Sequence, residues 1–107
     1  MQTRKERLLE FLAKDPNDSF TRYALALELA SEGQIEEAIG TFRSLLEMNP
    51  GYVGTYYQLA KLLEKTGKSE EAIRIYKAGI IVAGSSGNQH AKSELQSALI
   101  NLEIGDI

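Results

Sequence analysis

Seven residues of this chain are said twice. Gly33-Gln34-Ile35-Glu36-Glu37-Ala38-Ile39 returns 34 positions later as Gly67-Lys68-Ser69-Glu70-Glu71-Ala72-Ile73, with five of the seven identical. The echo continues outside the heptapeptide: Tyr23 answers to Tyr57, Leu25-Ala26 to Leu59-Ala60, Leu29 to Leu63, and Phe42 to Tyr76. A fixed period of this size marks a stacked array, in which each unit buries its apolar face only against its neighbours. A period of 34 suits a pair of antiparallel helices.

Apolar periodicity along the chain predicts about six helices and no strand, because alternating apolar and polar runs are too short. Residues 3–14 form a first helix with Leu8, Phe11 and Leu12 on one face. Asp15-Pro16 ends it, since the residue before a proline is pushed out of the α region. Pro16 set over Pro50 brings Leu8 over Phe42, Phe11 over Leu45 and Leu12 over Leu46, so residues 3–16 read as half a repeat covering the open side of the array. Helices over 19–32 and 35–48 make a first full repeat, residues 19–50. Asp18 is placed to cap it, and Gly33 supplies the left-handed residue between its helices. A second repeat, residues 53–84, has helices over 53–66 and 69–83, with Gly67 between them and Gly84 at the end. Ser86 and Gln89 stand at capping-box spacing. They open a closing helix within 86–103 whose apolar face is Ala91, Leu95, Ala98, Leu99 and Leu102. Gly105-Asp106-Ile107 reads as a frayed end. Residues 1–107 are expected to form one all-α domain, an antiparallel helix-pair solenoid with capping helices at both ends.

The pattern resembles the tetratricopeptide repeat (TPR) family. That family places a large residue, then Leu and a small residue, then a large one on the first helix of each pair. Gly closes this helix; the second carries Ala, an aromatic and a small residue, with Pro beyond its end. The first copy here has Leu25, Ala26, Leu29, Gly33, Ala38, Phe42 and Pro50; the second has Tyr56, Leu59, Ala60, Leu63, Gly67, Ala72, Tyr76 and Gly79. Three residues depart from it: Arg22 where a bulky aromatic is usual, Leu45 where a small residue is usual, and Gly84 in place of Pro. The resemblance implies that the first helices of the pairs line an inner concave face, across which a peptide or partner helix lies. The matching positions are Phe20, Tyr23, Leu27, Gly54, Tyr57 and Lys61, with Asn88 and Ala91 from the closing helix. A subclass of the family grips a C-terminal carboxylate with basic and amide side chains. Tyr23, Leu27, Lys61, Ala91 and Leu95 occupy those places here, only one of them basic, which argues against that activity.

Composition excludes more than it suggests. There is no cysteine, hence no disulfide framework, thiol nucleophile or cysteine metal site. A net charge of −3 with no basic cluster beyond Arg4-Lys5-Arg7 does not fit a nucleic-acid surface. No stretch approaches the roughly 20 apolar residues of a membrane span, and the N-terminus lacks a signal-peptide core, so a cytoplasmic protein is expected. The single His90 has only Glu94 at helical spacing, which does not make a metal site. Glu36-Glu37 and Glu70-Glu71 fall in first helical turns, where carboxylates oppose the helix dipole without doing chemistry. No catalytic constellation and no cofactor is expected.

The expected function is therefore a non-catalytic protein-interaction module with a protein or peptide partner, with Phe20, Tyr23, Leu27, Tyr57, Lys61 and Asn88 as contact residues. Tyr23, Leu27, Tyr57 and Lys61 should form one partly exposed surface that prefers an amphipathic segment bearing acidic residues. The closing helix could instead fill that groove with Leu95 and Leu99. A rival expectation is a self-assembling homodimer, motivated by Ile81 at a position usually charged and by Ile100, Ile104 and Ile107 off the closing stripe. Two glycines carry opposite expectations: Gly40 should face solvent, and Gly79 should mark a tight contact with the closing helix.

Overall fold

Glycines and prolines set the helices apart. The computed structural model describes residues 1–105 and contains α1 (Arg4–Lys14), α2 (Ser19–Ser31), α3 (Ile35–Met48), α4 (Gly54–Lys65), α5 (Ser69–Ser85) and α6 (Gln89–Gly105), with no strand among the described residues. Asp106 and Ile107 of the expected frayed end lie outside the described residues. Gly33, Gly67 and Gly87 have φ of +82°, +80° and +75°, a region that costs any residue with a Cβ. Each sits in the same hydrogen-bonded stop. After α2, the Gly33 N–H donates to the Ala30 carbonyl (3.0 Å) and the Gln34 N–H to that of Leu29 (2.9 Å). After α4, Gly67 and Lys68 do the same to Glu64 (3.0 Å) and Leu63 (2.8 Å), and after α5 Gly87 and Asn88 to Gly84 (3.2 Å) and Ala83 (2.9 Å). These crossed bonds satisfy carbonyls that a helix end otherwise leaves without partners.

Proline gives the second kind of stop, at two places 34 residues apart. Asp15, before Pro16, has φ −136° and ψ 83°; Asn49, before Pro50, has φ −145° and ψ 79°. The Asp15 N–H donates to Phe11 and the Asn49 N–H to Leu45, one repeat length later. Both residues leave the α region because the following pyrrolidine ring crowds it. At the N-termini, Thr3 and Glu6 form a reciprocal capping box on α1. The Asp18 carboxylate accepts from the Thr21 N–H (3.4 Å) and hydroxyl (2.9 Å) at the start of α2.

Two expectations at the α5–α6 junction are corrected. Gly84 does not end α5, which continues through it to Ser85; the left-handed residue that stops the helix is Gly87. Ser86 does not cap α6. Its hydroxyl turns back to the Ala83 carbonyl (3.2 Å), and the Asn88 side chain accepts from the Ala91 N–H (3.0 Å) instead.

The chain clusters into two compact units, Met1–Tyr52 and Val53–Ile107. In the first, α1 packs on α2 and α2 on α3; in the second, α4 packs on α5 and α5 on α6. The buried residues repeat at the 34-residue offset: Leu25 and Leu59, Ala26 and Ala60, Leu29 and Leu63, Ala38 and Ala72, Phe42 and Tyr76. Burial of each large side chain contributes about 1.5–3 kcal/mol. The helix α1 buries none of its residues fully, and Phe11 stays 61% exposed where its counterpart Leu45 is wholly buried. Ion pairs Arg4–Glu28 (3.4 Å) and Lys5–Glu32 (3.1 Å) help tie α1 to α2. Exposed pairs of this kind contribute about 0–1 kcal/mol.

Gly79 marks a close approach of helices in the second unit. A Cβ built there would lie 2.6 Å from Tyr56 Cβ and 3.1 Å from Leu95 Cδ1, so α4 and α6 both close on the bare backbone of α5. Gly40 is the opposite case: it is exposed, and nothing lies within 4 Å of its virtual Cβ.

Candidate partner-binding surfaces

The helix α2 is apolar on two sides. Leu25, Ala26 and Leu29 are buried. Phe20, Tyr23 and Leu27 recur at spacings of three and four and so share the other side. Phe20 is 67% exposed and Leu27 37%, while Tyr23 is half-buried. The Tyr23 ring is fixed by two neighbours, Phe42 edge-on at 5.8 Å and Tyr52 at 5.4 Å. Tyr52 was not expected at this surface; it lies in the turn after α3, outside the helical periodicity. Burial, then the proximity of Tyr23 and Asp18, push its phenol above the ordinary tyrosine range.

In the second unit the same ring geometry recurs: Tyr57 meets Tyr76 edge-on at 6.5 Å. The Lys61 ammonium lies over the Tyr57 ring at 5.7 Å and 3.8 Å from the Glu64 carboxylate. The Tyr76 hydroxyl also donates to Glu64. Burial, reinforced by that hydrogen bond, holds the Tyr76 phenol far above its ordinary range. The four residues form a closed circuit, and Lys61 is paired within the chain rather than offering a free basic edge.

Two adjoining clefts open beside this circuit. One, of about 340 Å³, has Tyr57 and Lys61 on the α4 side and Glu94, Ser97 and Asn101 on the α6 side. The other, of about 220 Å³, is lined by Gly54, Tyr57, Asn88 and Ala91 among others. The structure thus brings Tyr57 to both clefts, Lys61 to the first and Asn88 to the second. The closing helix forms one wall of both clefts, Leu95 being buried against Gly79, and Tyr57 is half-buried. Asn88 has a structural task as the cap of α6. His90 borders both clefts, exposed, 3.5 Å from Glu94. The polar residues of α6, Ser97 and Asn101, were missed in the sequence because only the apolar side of that helix carries a periodic signal. Among the described residues no group of three or more His, Asp or Glu side chains is placed to hold a metal ion, and no helix is long and apolar enough to cross a membrane.

A sequence model of the tetratricopeptide repeat matches residues 29–92. The chain belongs to the tetratricopeptide repeat family. Among solved structures, a TPR domain protein from Salinibacter ruber is 46% identical with a TM-score of 0.80, over 83% of this chain and 90% of that one. A protein from Bordetella parapertussis is 30% identical with a TM-score of 0.85, over 99% of this chain and 92% of that one. Among curated proteins, the tetratricopeptide repeat and J domain-containing co-chaperone DNJ1 of Fusarium oxysporum is 28% identical over 96 residues, 90% of this chain and 18% of that protein. Its namesake in Cryptococcus neoformans is 35% identical over 63 residues, 59% and 12% respectively. The chain spans less than a fifth of the length of these curated relatives. The TPR fold generally mediates protein–protein interaction, and the three departures from its pattern all have a visible setting here. Arg22 hydrogen-bonds across to other elements, Leu45 is buried, and Gly84 lies within a longer helix.

Proposed function

We propose that this TPR chain is a non-catalytic, cytoplasmic interaction module that holds a peptide or helix of another protein. The contact residues are Phe20, Tyr23 and Leu27 on the first unit and Tyr57, Lys61 and Asn88 on the second. One observation carries the proposal: the half-buried Tyr57 lines two clefts that α6 borders. A tyrosine so placed offers apolar area and a polar handle, the combination common at binding hot spots. Partners captured from the source cell by the tagged chain supply the ligand for the test. Tyr57→Ala should weaken capture by about tenfold or more. Because the Tyr57 ring also packs on Tyr76, Asn101→Arg, which narrows the first cleft from an exposed position, serves as the second variant. Undiminished capture in both variants refutes this site.

A second possibility is self-association, favoured by Ile81, Ile100 and Ile104, which are 69%, 52% and 58% exposed. Ile107 lies outside the described residues. Light scattering over a concentration series decides it: a constant monomer mass eliminates the dimer.

A further inference from the structure

A groove of the first unit lies on the side of α2 opposite to Phe20, Tyr23 and Leu27. At 100° per residue, Arg22, Leu25 and Leu29 point about 160° away from those three. The groove has a volume of about 510 Å³. Leu25 and Leu29 form its floor, Leu9 of α1 one wall, and the stripe Glu37, Gly40, Thr41 and Ser44 of α3 the other.

Two features of it are not fully used within the chain. Gly40 sits in mid-helix with φ in the ordinary helical range, and no side chain or backbone lies within 4 Å of where its Cβ would be. A glycine there weakens the helix and relieves no internal crowding. It does leave room for another backbone to approach α3 closely. The second feature is charge. The half-buried Arg22 guanidinium donates to the Pro16 carbonyl (2.7 Å) and the Ser44 hydroxyl (3.1 Å), and its Nε is buried without a partner. Among the described residues no carboxylate lies within ion-pair distance of it. A guanidinium fork binds a carboxylate far better than neutral oxygens, most of all where apolar walls exclude water. Lys5, at the rim, is already paired with Glu32. Glu37 lies on the α3 stripe seven residues, about 10 Å, before Ser44 and hence from the Arg22 end.

We infer that this groove takes an amphipathic helix of a partner protein, laid along α3 across Gly40. It would place an acidic side chain at Arg22 and a basic side chain about two turns away at Glu37. The site is separate from the one proposed above and stands or falls without it.

The test uses the full chain, labelled with nitrogen-15, and a synthetic amphipathic helical peptide with a leucine stripe and a Glu and a Lys about two turns apart. A second peptide carries Gln at both charged positions. The expected result is movement of the Gly40, Thr41 and Ser44 amide resonances, with the charged peptide binding more tightly. Gly40→Gln projects into open space and should keep the fold while weakening binding at least about tenfold. Arg22→Gln should remove the preference for the charged peptide over its Gln counterpart, and Tyr57→Ala should leave binding unchanged. No movement at millimolar peptide, movement confined to α4 and α6, or equal binding by Gly40→Gln would each overturn the inference. So would concentration-dependent movement of Gly40 without peptide, which assigns the groove to a second copy of the chain.

Discussion

Replacing Gly79 and Gly40 by alanine should shift stability in opposite directions. The intrinsic gain is the same at both, about 1 kcal/mol, because alanine loses less backbone freedom in a helix than glycine. Only the surroundings differ. At Gly40 the new methyl meets nothing within 4 Å, so Gly40→Ala should keep most of the gain, about 0.5–1 kcal/mol. At Gly79 it would stand 2.6 Å from Tyr56 Cβ and 2.9 Å from Tyr56 Cγ. The first of these atoms is attached directly to the α4 backbone and cannot swing aside, so α4 must move as a whole. Overpacking of this kind costs about 1–3 kcal/mol, and its upper range applies where backbone must shift. The net effect of Gly79→Ala is then a loss of about 1–2 kcal/mol, and of Gly79→Leu a larger one. Urea denaturation followed by circular dichroism measures all three variants. In a domain of this size the two alanine variants should differ in melting temperature by about 10 °C or more. Gly79→Ala as stable as the parent would mean that α4 and α5 do not approach as described.

Three further outcomes follow from single contacts. Asp18→Ala removes the side-chain cap of α2 and should cost about 1 kcal/mol in urea denaturation, whereas Asp18→Asn should restore most of it. Thr55→Val should leave stability unchanged or raise it by about 1 kcal/mol, since the Thr55 hydroxyl is buried with no partner and valine has nearly its shape; a loss above that size would show a hidden acceptor. Stability should fall above about pH 10: unfolded tyrosine ionises near 10.0, while burial and then the bond to Glu64 hold folded Tyr76 neutral well beyond it. That contribution is complete below pH 10.0 and is lost as pH rises, so Tyr76→Phe should have a flatter alkaline limb, and an unchanged limb would refute the assignment.

The fold was legible because two independent layers of chemistry repeat together. Gly33 sets the turn while Leu25, Ala26 and Phe42 set the core, and each has its counterpart 34 residues on, Gly67 among them. Gly79 was readable for a different reason, the family pattern's small residue where helices must approach, since its counterpart in the first copy is Leu45. Gly84 misled because glycine marks a stop only when its φ is positive, and at this junction Gly87 takes that conformation. The capping box at Ser86 failed for a related reason: Asn88 stands directly before the first helical turn and bonds into it. The site was less readable than the fold. Lys61 and Glu64 have pairing distance in sequence, but Tyr76 sits twelve residues beyond Glu64 on another helix, and only packing brings it there. Arg22 depends on Pro16 and Ser44, which meet it only once α1 and α3 flank α2.

Positions where the two copies agree build the helix pair; those where they differ give each unit its own packing and its own surface. Tyr56 and Gly79 of the second unit correspond to Arg22 and Leu45 of the first, so the large side chain has changed helices and a guanidinium stands where an aromatic ring stood. The same comparison sets Gly40 against Arg74, Thr41 against Ile75 and Ser44 against Ala78. Arg74 is exposed in the middle of α5, which shows that a long charged side chain is compatible with the helix at that register. The bare stripe on α3 is therefore not a requirement of the repeat. It occurs in the unit where Arg22 has no carboxylate partner among the described residues and where a groove of about 510 Å³ lies between α1 and α3. Gly40→Arg gives the first unit the residue that the second already tolerates. If the open stripe serves only the fold, that exchange should cost stability; if it serves a partner, the chain should fold as before with its groove blocked.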